Sequence, residues 1–256
     1  MVQLDIPDRT LNDPPTHVIE AHKKLKETFE GQNIILFQTM EPDRGRQNRM
    51  GHHLAHIVRS QDKIWAQGLL LTNGLARVRT TRENYELAYE MLQSEEKARQ
   101  KSTGIWSQPQ YRVLTPETAT NAMNSYQIVK GQVEGVAVVR NTLYLNFGQN
   151  WRRDFTVSLP ASLRKELQAA GFYPLKWKGR IIRARGWIES YNGPYMEIDH
   201  IERLEIVDTL DNEADETSET GMKSPSEMKT LSNRGSDHKL NILPVTRNND
   251  EKNSSD

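Results

Sequence analysis

The sequence predicts an α+β fold dominated by β-structure, arranged as two successive units and a polar tail. Three observations predict it. Helical spacing of apolar residues occurs within the first hundred residues and once more near residues 160–170. Short β-branched and aromatic runs recur from Ile34 to Val207. Beyond Val207 the aromatic residues stop and Ser, Asn, Thr, Asp and Glu take over.

The first unit opens with a strand fragment, Val2 to Leu4, followed by Asp5-Ile6-Pro7-Asp8. Pro14-Pro15 precedes a helix from about Thr16 to Glu30, in which Val18, Ala21, Leu25 and Phe29 share one face. Gly31 ends it, and Ile34-Ile35-Leu36-Phe37 has the β-branched and aromatic content of a buried strand. A polar loop from Glu41 to Arg49 carries Arg44, Arg46 and Arg49. The stretch from Asn48 to Arg79 organises this unit: Leu54, Ala55, Ile57 and Val58 form a short strand, and Gln61-Asp62-Lys63 is a polar turn. Ile64, Ala66, Leu69, Leu70 and Leu71 then give an apolar helix that Asn73-Gly74 stops, glycine suiting the left-handed position beyond a helix end. A longer helix from about Glu83 to Ser102 places Leu87, Met91 and Ala98 on one face and closes on Gly104-Ile105-Trp106.

Residues 108–128 predict a connector with a short helical piece. In the second unit, Val133 to Val139, Leu143 to Phe147 and Phe155 to Leu159 are three strands. A helix runs from Pro160 to Ala170, and Arg180 to Glu189 alternates as a strand does. Asn192-Gly193 signals a tight hairpin before Tyr195 to Ile198, and Leu204 to Val207 can add a last strand. Three strands, a helix and two more strands is the layout of an oligonucleotide-binding (OB) barrel. Trp187 and Tyr144 are expected in its core, because large aromatics tend to be buried.

The chain is formally neutral, but the charge is uneven. Residues 208–256 hold 11 acidic and 6 basic residues, a net −5, so the remainder carries +5. A mildly basic body is compatible with a phosphate-bearing partner. The absence of cysteine excludes disulfides, thiolate metal sites and cysteine nucleophiles. No apolar run approaches the roughly 18 residues of a membrane span, and MVQLDIPDRT lacks the features of a signal peptide. The tail is too poor in apolar residues to offset its ordering entropy and is expected to be disordered.

Four motifs in residues 2–107 resemble the staphylococcal-nuclease (thermonuclease-like) family: Leu4-Asp5-Ile6-Pro7-Asp8; Asn48-Arg49-Met50-Gly51-His52-His53-Leu54-Ala55; Gly74-Leu75-Ala76; and Gly104-Ile105-Trp106. The resemblance implies an OB-type nuclease-like barrel with helices over 1–107, incomplete at its front, so that the chain is either a fragment or a degenerate copy. The residue pattern beyond it adds a 108–128 linker, a second OB-like domain over 129–207 and a tail over 208–256. Leu143 to Gly148, Asp154-Phe155-Thr156-Val157 and Arg185-Gly186-Trp187 resemble the β-module that follows such domains in some bacterial proteins. Family members often carry an export signal.

For function, the resemblance implies calcium-dependent hydrolysis of DNA or RNA. Asp5 would be a metal ligand, Ile6 would lend its carbonyl to the metal, Asp8 would orient the attacking water, and His52 would stand near the phosphate. Asp8 replaces the family's glutamate with a side chain one methylene shorter, and His52 replaces an arginine, whose fixed fork suits a phosphate better than imidazole does. A missing transition-state contact of this kind typically costs on the order of 10²–10³ in rate. An impaired site is therefore expected, the alternative being a non-catalytic nucleic-acid or protein-binding module. Arg44, Arg46 and Arg49 are weak candidates for phosphate contact. Arg180, Arg183 and Arg185, interleaved with apolar residues near Trp151, Trp187, Tyr144 and Tyr191, suit a single-stranded nucleic acid, the alternative being that Trp187 and Tyr144 are core residues. His52 and His56 would share one side of a strand, but no nearby carboxylate completes a metal set.

Overall fold

Each unit is built around its own apolar cluster. The computed structural model describes residues 1–6, 13–41, 44–150 and 152–207, and the backbone of 241–244. In the first unit, helix α1 (Thr16–Phe29) buries Val18 and Ala21. Helix α2 (Ala66–Thr72) contributes Leu70 and Leu71, and α3 (Ala88–Gln100) contributes Met91 to the same cluster. The helix predicted from Glu83 begins later because Leu87 is left-handed, with φ 58°, at its N-terminal cap.

Strands in this unit are short. The fragment β1 is Leu4–Asp5, beginning two residues later than expected, and pairs antiparallel with β4 (Arg77–Val78), Asp5 opposite Arg77. Strands β2 (Ile34–Gln38) and β3 (His56–Arg59) form a second antiparallel pair. Gln67, fully buried on α2, fastens β3 by accepting from the Ile57 amide and donating to the Ala55 carbonyl. The described strands of this unit form a two-stranded and a three-stranded sheet, with no closed barrel among them. The third strand of the larger sheet is β12 (Asn241–Pro244), which pairs with the free edge of β2. The tail was expected to lack structure throughout; residues 208–240 and 245–256 lie outside the described residues.

The second unit is a single sheet. It consists of β5 (Ser125–Gln132), β6 (Gly135–Val139), β7 (Thr142–Asn146), β8 (Thr156–Leu159), β9 (Ile181–Ser190), β10 (Pro194–Glu197) and β11 (Leu204–Ile206). Its order is β11-β9-β10-β8-β7-β6, and β5 also pairs with β9. The β8–β10 pair alone is parallel. Helix α4 (Ala161–Ala169) buries Leu163 and Leu167 against Leu143, Leu145, Val157 and Leu159. Strand β5 begins at Ser125, inside the stretch expected to be linker.

The two units share a buried boundary. Ala98, Ile105, Trp106 and Ile128 form one cluster across it. Beside them, Arg185 and Glu95 are both 0% exposed. The Arg185 guanidinium donates to Glu95 at 3.1–3.2 Å and to Glu205 at 2.7 Å, and the Val78 amide donates to Glu95 at 2.6 Å. Burial opposes the charge on Arg185, but Glu95 and Glu205 outweigh it and hold the guanidinium firmly protonated. Arg183 bonds Glu96 and Glu205 at 2.9 Å. These arginines do lie on one face of β9, but that face is turned to the first unit rather than to a nucleic acid. The same alternation corrects the expectation for Trp187: Ile182, Ala184 and Ile188 point into the core, so Trp187 points out and is 46% exposed. Tyr144 is half-buried on the outer face of β7.

Candidate functional site

Strand pairing decides what Asp5 can do. Opposite it on β4, Arg77 donates to Oδ2 from Nε at 3.0 Å and from Nη2 at 2.5 Å. Arg79 is two residues on and therefore on the same face, with its guanidinium 3.8 Å from Oδ1. The two cations are stacked in turn among aromatic rings. Arg77 lies over Tyr111 at 5.1 Å and Tyr126 at 5.4 Å, and Arg79 over Tyr126 at 5.4 Å and Trp187 at 5.8 Å. This alternating ladder crosses the boundary between the units. It is anchored where the Tyr126 hydroxyl donates to the Val78 carbonyl at 3.0 Å. Burial raises the Tyr126 phenol above its ordinary value, so it remains a neutral donor.

Calcium takes six to eight oxygen ligands. Among the described residues the expected set supplies one carboxylate, Asp5, and the carbonyl of Ile6. Both Asp5 oxygens already face guanidinium groups, which would repel a dication. Ile6 packs its side chain against the first core. Among the described residues, no group of three or more His, Asp or Glu side chains is placed to hold a metal ion. The donor set present does not fit calcium. Asp8, expected to orient water, lies outside the described residues.

His52 sits in an exposed turn that Asn48 organises, its Oδ1 accepting from the amides of Met50 and His52 at 2.9 Å. No hydrogen bond or ion pair among the described residues links His52 to Asp5. Of the three loop arginines, Arg46 turns inward and donates to the carbonyls of Thr39 and Met40 at 3.2 Å, holding the loop closed. Arg44 and Arg49 are exposed. His56 departs from His52 altogether. It is buried against Trp65, whose indole N–H donates to Nδ1 at 3.2 Å, and burial pushes its pKa down to about 4.

A hydroxyl–imidazole–carboxylate chain also occurs: Thr80 Oγ1 lies 2.7 Å from His200 Nε2, and His200 Nδ1 lies 2.6 Å from Asp199. Thr80 is fully buried and His200 nearly so. The chain therefore ties the two units together and offers no accessible nucleophile. Sequence reasoning passed over Arg77, Arg79 and their aromatic partners. The available signal was the Arg-Val-Arg triplet after Gly74-Leu75-Ala76, which puts two cations on one face of a short strand.

The helices, short strands and arginine-held aspartate of the first unit define a nuclease-like domain whose charged centre is a cation cluster. Residues 1–108 match the family model of the staphylococcal nuclease homologue, so this part of the chain is similar to that family. A comparison with curated proteins finds no match. No described helix is long and apolar enough to cross a membrane.

Proposed function

We propose that this chain is a nuclease-like protein that binds nucleic acid and hydrolyses it poorly, if at all. One observation carries the reading: the carboxylate that would hold a metal ion is engaged by Arg77 and Arg79. Catalysis of phosphodiester cleavage depends on preorganised cations at the developing anion and on an activated water. The chain offers cations here, but its exposed His52 is a poor substitute for a phosphate-gripping arginine. Cations without a metal-activated water favour binding over cleavage.

The second unit supports the same reading. Its parallel β8–β10 pair and the position of α4 between β8 and β9 support the reading of an OB-like unit, a layout suited to oligonucleotides. The test is digestion of plasmid and RNA with and without calcium, beside binding at several salt concentrations. The expected result is salt-sensitive, calcium-independent binding without cleavage. Calcium-stimulated cleavage that Asp5→Ala abolishes would refute the reading.

A further inference from the structure

The outer face of the second unit carries a feature that the arginine ladder does not use. A groove of about 380 Å³ opens there, within the range of roughly 300–1,000 Å³ typical of small-ligand sites. Three tyrosines shape it. Tyr144 comes from β7 and Tyr195 from β10, and Tyr191 from the turn between β9 and β10 is 62% exposed. Tyr191 and Tyr195 meet edge to face with centroids 5.5 Å apart, and Tyr195 Oη lies 2.5 Å from Ser158 Oγ, which fixes its ring. Asn146 and Thr156 line the floor, and the Thr156 hydroxyl donates to Asn146 at 3.2 Å.

No charged side chain lines the groove, but exposed cations stand at both ends. Arg140 occupies the β6–β7 turn directly after the lining residue Val139. At the far end, the backbone of Arg153 packs against Gly193, where an added Cβ would come within 2.6 Å of it, next to the lining residue Asn192. Of the carboxylates on this face, Glu189 stands opposite Tyr195 on β9, away from β7, and Glu197 lies two residues along β10, two strands from β7. A ligand matching this layout has a flat, neutral, hydrogen-bonding part for the groove and negative charges spaced outside it. That describes an unpaired nucleotide strand better than a peptide, whose backbone brings no charge to the arginines.

We propose that this groove binds single-stranded nucleic acid. Bases stack on Tyr144 and Tyr191 and bond Asn146 and Thr156, and the phosphates run along β7 from Arg140 to Arg153. This rests on the reading of the chain as a nucleic-acid binder and adds a site in the second unit. The test uses the full chain, a fluorescent oligothymidylate and a duplex of mixed sequence, with affinities measured by anisotropy. Tyr144→Ala and Tyr191→Ala are each expected to weaken the single-strand complex about 5- to 100-fold. Arg153→Ala is expected to lower the salt slope by about one. Circular dichroism establishes that each variant is folded; Tyr191, being exposed, is the substitution least able to disturb folding.

Folded tyrosine variants that bind the oligonucleotide as tightly as the parent would overturn the groove and leave the binding reading intact. Binding of duplex but not of single strand would do the same. Failure to bind either nucleic acid would overturn both. If an extended peptide binds the groove and the tyrosine substitutions release it while oligonucleotide affinity is unchanged, the groove serves the exposed β6 edge and the proposal falls.

Discussion

Removing Glu95 should destabilise the whole chain, not one unit of it. Its carboxylate is 0% exposed and accepts from Arg185, from Arg99 at 3.0 Å and from the Val78 amide at 2.6 Å. In Glu95→Ala, the Val78 amide loses its acceptor and a fully buried guanidinium keeps only Glu205 as a strong partner. Breaking one side of a buried ion pair typically costs about 3–5 kcal/mol. For a chain of this size each kcal/mol lowers the melting midpoint by about 2–4 °C, so the expected fall is roughly 6–20 °C. Urea unfolding followed by tryptophan fluorescence and thermal unfolding followed by circular dichroism both measure it. Because the pair joins α3 to β9, Trp65 of the first unit and Trp177 of the second should report one common transition. The double variant Glu95→Leu/Arg185→Met should lose much less than the two single variants together, since the apolar pair strands no guanidinium and Glu205 keeps Arg183 as its partner. A loss below about 1 kcal/mol in Glu95→Ala, or strict additivity in the double variant, would refute the argument that charge burial governs this boundary.

Further expectations concern pH, Asp5 and one glycine. His56 has a folded pKa of about 4 against an ordinary 6.5, so the unfolded chain takes up its proton first. The associated stability, about 3 kcal/mol, is complete above pH 6.5 and is lost as pH falls toward 4; urea midpoints across that window check it, and a flat profile counts against it. Burial lowers His17 and His200 in the same direction, so they add to the acid sensitivity. Asp5→Ala, which strands the mostly buried Arg77, should cost about 1–3 kcal/mol in urea unfolding. Added calcium should leave the melting midpoint of the parent unchanged, because a ligand stabilises only what it binds; a calcium-dependent rise would contradict the donor-set argument. Gly74→Ala should cost about 3 kcal/mol or be poorly expressed, since φ is +62° and the new Cβ would lie 2.1 Å from the Thr103 carbonyl oxygen.

What the sequence disclosed was local, and what it concealed was long-range. Asn192 and Gly193 take φ values of 51° and 97°, the left-handed pair that a tight hairpin demands, and their adjacency was legible directly. The apolar periodicity of α1 and the order of strands around α4 were legible for the same reason. Arg185 was not, because an alternating Arg-Ile strand looks solvated until Glu95, ninety residues earlier, is known to face it. Nor was the condition of Asp5: its motif marks it as a ligand, while the partner that occupies it lies 72 residues away on β4. Trp187 was misplaced because residue size was weighed above the parity of its strand. His52 was expected on a strand beside His56, but β3 begins only at His56 and Asn48 draws His52 into the preceding turn; nor does any local pattern state its separation from a carboxylate on another strand.

Two of the marks that distinguish this family, Gly-Leu-Ala and Gly-Ile-Trp, turn out to be halves of one contact. Gly74 and Gly104 press backbone to backbone; a methyl on Gly104 would strike the Gly74 carbonyl oxygen at 2.2 Å, and the same oxygen accepts from the Ile105 amide at 2.8 Å. No compensating change at the second position can make room for a side chain at the first, because main-chain atoms supply the wall. Such a signature records steric exclusion in the scaffold, so its presence follows from the packing of two turns and says nothing about hydrolysis.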